Sequence, residues 1–189
     1  MINKPINLNT IILILVMGII IAIFPSCKKK IDVIPKSDFL SYPSMTAKNF
    51  ETELLDSGKT TLIMRAPLAE QYDNEKEPYT DFRFGLNVDF YDGKKYISGS
   101  VSSKYAKYLK NTNLWELKDS VVVIGENKEM LETELLYWDP EKDLIYTDRF
   151  VRITNVDQIV MGTGFESDSK LSKRHIKKPS ATIYLKDEE

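Results

Sequence analysis

The chain is poor in the residues that perform chemistry. Its 189 residues include one cysteine, Cys27, and one histidine, His175. One of each cannot supply a nucleophile–base pair or a zinc site of the usual kind. No Gly-x-Ser-x-Gly, phosphate loop, His-Glu-x-x-His or cysteine/histidine cluster occurs, so neither a metal nor a cofactor is expected. An excess of one charge is also lacking. The 26 basic and 28 acidic residues are interspersed, which leaves no basic face for nucleic acid. The one basic cluster, Lys173-Arg174-His175-Ile176-Lys177-Lys178, reads as a solvated face near the carboxyl end. Helical periodicity is weak throughout, and the one ambiguous stretch, 129–138, alternates around Thr133 as a strand does.

Long apolar runs are confined to the amino terminus. Lys4 precedes a hydrophobic segment centred on 11–24. At about 14 residues it is short of the roughly 20 that span a bilayer, and fits a secretory signal. The segment ends Phe24-Pro25-Ser26-Cys27, which resembles a bacterial lipobox with Cys27 as the acylated residue. The competing reading is an uncleaved anchor with an incidental cysteine. Both hang the chain from a membrane, because two or three acyl chains, at about 0.8 kcal/mol per buried methylene, anchor durably where one does not. Lys28-Lys29-Lys30 follows, suited either to anionic headgroups or to a solvated tether. The expected organisation is a signal or anchor over 1–26, a tether over 27–43 containing Pro35 and Pro43, a β domain over 44–178, and a tail over 179–189. About 160 residues beyond the leader suffice for one domain with a real core.

What is abundant is period-two alternation. Leu114-Trp115-Glu116-Leu117, Val121-Val122-Val123-Ile124 and Leu131-Glu132-Thr133-Glu134-Leu135 follow one another across polar turns. After Asp139-Pro140-Glu141-Lys142-Asp143 come Ile145-Tyr146-Thr147-Asp148, Val151-Arg152-Ile153 and Met161-Gly162-Thr163-Gly164-Phe165. Upstream, 46–55 and 60–69 flank the turn Asp56-Ser57-Gly58-Lys59, and 82–91 and 95–108 flank Asp92-Gly93-Lys94. This is the pattern of an all-β, meandering antiparallel sheet. A loose repeat relates 66–72, 101–108 and 131–138, each ending on an aromatic before a turn, as in stacked units of one folded sheet.

Two features invite a sharper reading and are answered by packing. Gly162-Thr163-Gly164 precedes no helix, so it marks a bulge, a bend or a close backbone approach rather than a nucleotide loop. Trp115 could stack on a sugar, but it falls in phase with Leu117, Val121 and Val123, as a core residue does. Glu132 and Glu134, and the acids of the 139–143 turn, leave a carbohydrate-acting enzyme as a minor alternative.

The blocks Val101-x-Ser103-Lys104-x-Ala106-x-Tyr108 and Trp115-x-Leu117-x-x-Ser120-Val121-x-Val123 resemble the LptC family of lipopolysaccharide export. So do Leu131-Glu132-Thr133-Glu134-x-Leu136-x-Trp138, Ile145-Tyr146-Thr147-Asp148-x-x-Val151-x-Ile153 and Gly162-x-Gly164-Phe165-x-x-Asp168. The resemblance runs from about Ser44 to Ile176 and implies an elongated, twisted, open β-jellyroll that performs no catalysis. It further implies a membrane-anchored component on the periplasmic face of the inner membrane. Such a protein receives lipopolysaccharide from the permease subunits of an ABC transporter and passes it to a periplasmic bridge protein of the same fold. Alternation then aims Leu62, Met64, Val88, Phe90, Val101, Leu117, Val121, Val123, Leu131, Leu135, Val151 and Ile153 into a groove for acyl chains, shielded at roughly 25 cal/mol per Å². The alternative within this resemblance is a bridge or outer-membrane scaffold lipoprotein of the same fold.

Overall fold

The computed structural model describes residues 42–92, 96–169 and 171–185, and these are strands joined by turns. The leader, Cys27 and most of the tether lie outside the described residues, as do Gly93 and Lys94 of the Asp92-Gly93-Lys94 turn. In chain order the strands are β1 (Met45–Asp56), β2 (Lys59–Tyr72), β3 (Tyr79–Phe82), β4 (Leu86–Tyr91), β5 (Ile97–Ser103), β6 (Tyr105–Leu109), β7 (Leu114–Ile124), β8 (Met130–Asp139), β9 (Leu144–Thr154), β10 (Gln158–Ser167) and β11 (His175–Tyr184). All belong to one antiparallel sheet. The fold is all-β and consistent with a β-jellyroll.

The connectivity is a meander. The turn between β1 and β2 puts Ser57 at φ 51° and Gly58 at φ 77°, the two positive values that let a two-residue turn follow the twist of its strands. The expected strand 82–91 is interrupted at Arg83-Phe84-Gly85 and the expected 95–108 at Lys104. As a result β3 and β4 both pair with β2, and β6 and β5 both pair with β7. The pairs expected around Ser120 and around Arg149 are instead continuous strands, β7 and β9. At the carboxyl end β11 continues through Tyr184, past the expected boundary at Lys178. Pro179 is tolerated because among the described residues β11 pairs only with β10, so its outer edge has no ladder there to break.

Several of the irregularities form one line across the sheet. Asn49, at φ 50°, stands opposite Pro67, between the pairs Lys48–Leu68 and Phe50–Ala66. Pro67 in turn lies opposite the β3–β4 break, which lies beside Lys104. Lys104 donates its N–H to the Asp119 carbonyl at 3.0 Å, and Asp119 and Ser120 have φ 61° and 56°. The next register shifts fall between Thr133 and Tyr137 and between Thr163 and Phe165. Each bulge sharpens local twist and bends its strand. Aligned, they crease the sheet, so the apolar face turns in on itself. Backbone groups released from the ladder find other partners. The Ser120 N–H donates to Glu134 Oε2 at 3.3 Å, the Thr133 hydroxyl donates to the Phe150 carbonyl at 2.8 Å, and the Arg149 N–H donates to Thr147 Oγ1 at 3.1 Å.

The glycine doublet serves the same crease in two ways. Gly164 adopts φ 77° at the β9–β10 shift. A Cβ on Gly162 would lie 2.4 Å from Ile176 Cγ2 and 2.7 Å from the Lys178 carbonyl oxygen, so β11 approaches only because that atom is missing.

Polar contacts fix the start of β1. The Ser44 N–H donates to the Gln71 carbonyl at 2.7 Å and its hydroxyl to Asp73 Oδ2 at 2.9 Å, while Lys110 Nζ lies 2.5 Å from Asp73 Oδ1. Hydrogen bonds from Lys110, Gln71 and Ser44 lower the Asp73 carboxyl to about 2. A carboxyl with a depressed folded-state pKa stabilises above its unfolded value, and that stability is lost as pH falls through the folded value. Asp73→Asn should therefore flatten the loss of stability between the ordinary aspartate value of 3.8 and about 2, measured as urea midpoint against pH.

Candidate apolar groove

The register builds the interior from matched rows. On one side of the crease Met64, Val88, Val101, Val123, Leu131, Ile153 and Val160 stand in line across seven strands. On the other side the row is Phe82, Ala106, Leu117 and Leu136. Between them Val121, Thr133, Val151 and Gly162 run along the fold. Facing rows of β-branched and aromatic side chains bury one another once the sheet bends, with each large apolar side chain contributing about 1.5–3 kcal/mol.

Aromatics bridge the two halves. The Phe90 ring meets Trp138 edge-on, with centroids 6.0 Å apart and planes at 87°. Trp138 stacks on Trp115 at 6.1 Å, and Trp115 stacks on Phe82 at 5.8 Å and on Tyr108 at 4.7 Å. Such pairs add about 0.5–1.5 kcal/mol beyond burial. Both tryptophans are thus packed against the core. At the centre lies a cavity of about 30 Å³, lined by Leu86, Val88, Val101, Leu117, Val123 and Leu136 among others. It has room for roughly one or two waters and is far too small for an acyl chain.

Eleven of the twelve residues assigned to a groove from alternation meet in this one cluster. Met64, Val88, Leu117, Val121, Val123, Leu131, Val151 and Ile153 are buried in it, and Leu62, Phe90 and Val101 pack against it. Leu135 does not join them. The β8–β9 bulge advances the phase by one residue, so Leu136 takes the inward place opposite Leu117. Leu135, itself buried, instead borders a cleft with Lys118, Glu132, Arg149 and Arg152. Alternation also passed over Leu86, Ala106, Ile145 and Phe165, which are buried in the core. Ile145 and Thr147 are both inward and in phase, a signal that was there to read. Leu171, also buried, sits in a polar stretch with no periodic signal at all.

The acids that an enzyme would need have structural work. Glu132 Oε2 lies 3.8 Å from Arg152, and Glu134 accepts the Ser120 N–H. Asp139 is held below the usual carboxylate range by the hydrogen bond from the Lys142 ammonium, at 2.5 Å. On the outer face burial and the neighbouring Asp81 raise the Tyr105 phenol, and Tyr137 stacks on Tyr146 at 5.1 Å. Among the described residues no group of three or more His, Cys, Asp or Glu is placed to hold a metal.

The phase shift at the bulge predicts unequal costs for two adjacent leucines. Leu136→Ala should cost about 2–5 kcal/mol in urea unfolding. Leu135→Ala should cost less, because Leu135, though buried, lies outside the core cluster and borders a cleft that water can enter.

No curated protein matches the chain. Residues 10–185 match the family described as lipopolysaccharide-assembly, LptC-related, a span that takes in all eleven strands. That family is associated with lipopolysaccharide transport at the cell envelope and is not a known enzyme family. With its apolar interior, creased antiparallel sheet and a match over most of its length, the chain belongs to the LptC-related family.

Proposed function

We propose that this protein is a membrane-anchored periplasmic conduit that shields the lipid A acyl chains of lipopolysaccharide between the two halves of its sheet. It would take lipopolysaccharide from the permease subunits of an inner-membrane ABC transporter and pass it to a periplasmic bridge protein of the same fold. The anchor would be the acylated Cys27, holding the domain at the periplasmic face of the inner membrane. The observation that carries this reading is the uninterrupted apolar row from Met64 to Val160, which crosses seven strands without a charged side chain.

The energetics favour such a role. Each acyl methylene moved from water into this interior gains about 0.8 kcal/mol, so a chain of a dozen carbons can offset the separation of packed faces. No residue need do chemistry, because the ATP hydrolysed by the transporter would drive movement. The edges β1 and β11, each paired on one side only among the described residues, suit strand addition by partners, β1 towards the transporter and β11 towards the bridge.

The test is a photocrosslinking amino acid placed at Phe90, inside, or at Tyr137, outside, in membranes engaged in export. Labelling of lipopolysaccharide from Phe90, dependent on ATP and absent from Tyr137, is the expected outcome. Labelling from Tyr137 alone, or from neither, would overturn the conduit. A tagged chain should also co-purify with permease subunits. Recovery of outer-membrane proteins only would favour the scaffold alternative.

A further inference from the structure

Folding at the crease brings the far ends of the two half-sheets together. Phe90, near the end of β4, meets Trp138, near the end of β8, and Arg174, just before β11, pairs with Glu129, just before β8. The folded sheet thus has a closed side, the crease, and an open side, or mouth, bounded by two rows of strand ends. One row holds the β1–β2, β4–β5, β7–β8 and β9–β10 turns and the end of β11. The other holds the start of β1 and the β6–β7 and β8–β9 turns.

The exposed apolar side chains gather at this mouth. In the first row Leu54, Leu55, Ile124, Val156, Ile183 and Tyr184 are exposed, Val156 at 81% and Tyr184 at 76%. In the second row Tyr42 and Met45 are exposed where the described chain begins. The crease instead presents Lys104, Asp119, Ser120, Glu134 and Arg149 to solvent, with Phe84 and Phe150 as its exposed large apolar side chains. Large apolar side chains left in water along one row mark an interaction surface.

The path and the chemistry of the chain select what covers it. Tyr42 stands 15 residues after Cys27, a reach of at most about 50 Å, so an anchor at Cys27 joins the domain at its mouth and not at its crease. Tyr42 and Tyr184, one in each row, carry an apolar ring with a polar tip, which suits the boundary between headgroups and acyl chains. Acids and bases alternate through the turns of the first row, Asp56 with Lys59 and Glu126 with Lys128. Attraction to anionic headgroups therefore does not hold this row to a surface, whereas burial of its apolar side chains does.

From this geometry we infer that the domain rests mouth-down on the bilayer to which it is anchored, with the apolar row immersed among the lipid headgroups. The inference rests on the conduit reading and adds to it a direct route, in which acyl chains pass between bilayer and interior without crossing water.

The test uses the full chain isolated with its anchor and reconstituted in phosphatidylcholine vesicles whose acyl chains carry a nitroxide quencher. A fluorescent amino acid replaces Val156 or Tyr184 at the mouth, or Phe84 or Phe150 at the crease. Quenching should be severalfold stronger at the two mouth positions and unaltered by high salt. In exporting membranes, Val156→Asp combined with Tyr184→Asp should lower lipopolysaccharide labelling from Phe90 severalfold at an unchanged urea midpoint. Quenching as strong at the crease as at the mouth, quenching at neither in a chain that floats with the vesicles, or labelling that the double variant leaves unchanged overturns the mouth-down orientation and leaves the conduit standing. So does a mouth that is covered only when permease subunits are added, since its partner is then a protein. A chain that does not float with the vesicles has no anchor, which overturns the inference together with the anchored conduit.

Discussion

The structure depends on one constraint: a single antiparallel sheet has to bury its own apolar face. The sheet has no helix, and no second sheet, to pack against among the described residues. An unbroken sheet of this width would expose one greasy side. The crease from Asn49 and Pro67 through Gly85, Lys104, Asp119-Ser120 and Glu134 to Gly164 resolves the problem. It folds the sheet, and it does so where side chains and turn-like backbone can take over from lost ladder bonds. The positive φ values of Asp119 and Ser120 and the hydrogen bonds of Thr133 and Glu134 are the local form of one global bend.

That bend sets the character of the interior. The two rows that face each other are apolar because each strand offers alternate residues to the same side, and the aromatics Phe90, Trp115 and Trp138 tie the halves together. Packed this closely, the cavity between the rows is only about 30 Å³. The family's association with lipopolysaccharide transport and the physical nature of this interior therefore point to the same class of ligand.

Much of this was legible in the sequence, for a specific reason. Alternation is a local signal, so the segments 114–117, 121–124, 145–148 and 151–153 and the inward residues Val123, Leu131, Val151 and Ile153 could be read directly. Bulges are not local in this sense. Asp119-Ser120 and Arg149 read as turns between strands but are bulges within them. Leu135 was lost to a phase shift that only the β8–β9 pairing reveals. The strand β11 was cut short because Pro179 and the basic run mask it, although an open edge tolerates both. Leu171 was invisible because its burial comes from tertiary placement of a polar loop. The doublet Gly162 and Gly164 was the exception, an irregularity whose composition announced it.

The most direct test of the account is a structure of the full chain with lipopolysaccharide bound. The account predicts acyl density between the facing rows, against Val88, Val101, Val123 and Leu131, with the crease retained. Acyl density along the outer face beside Leu135 and Tyr137, with the interior still closed, would contradict it.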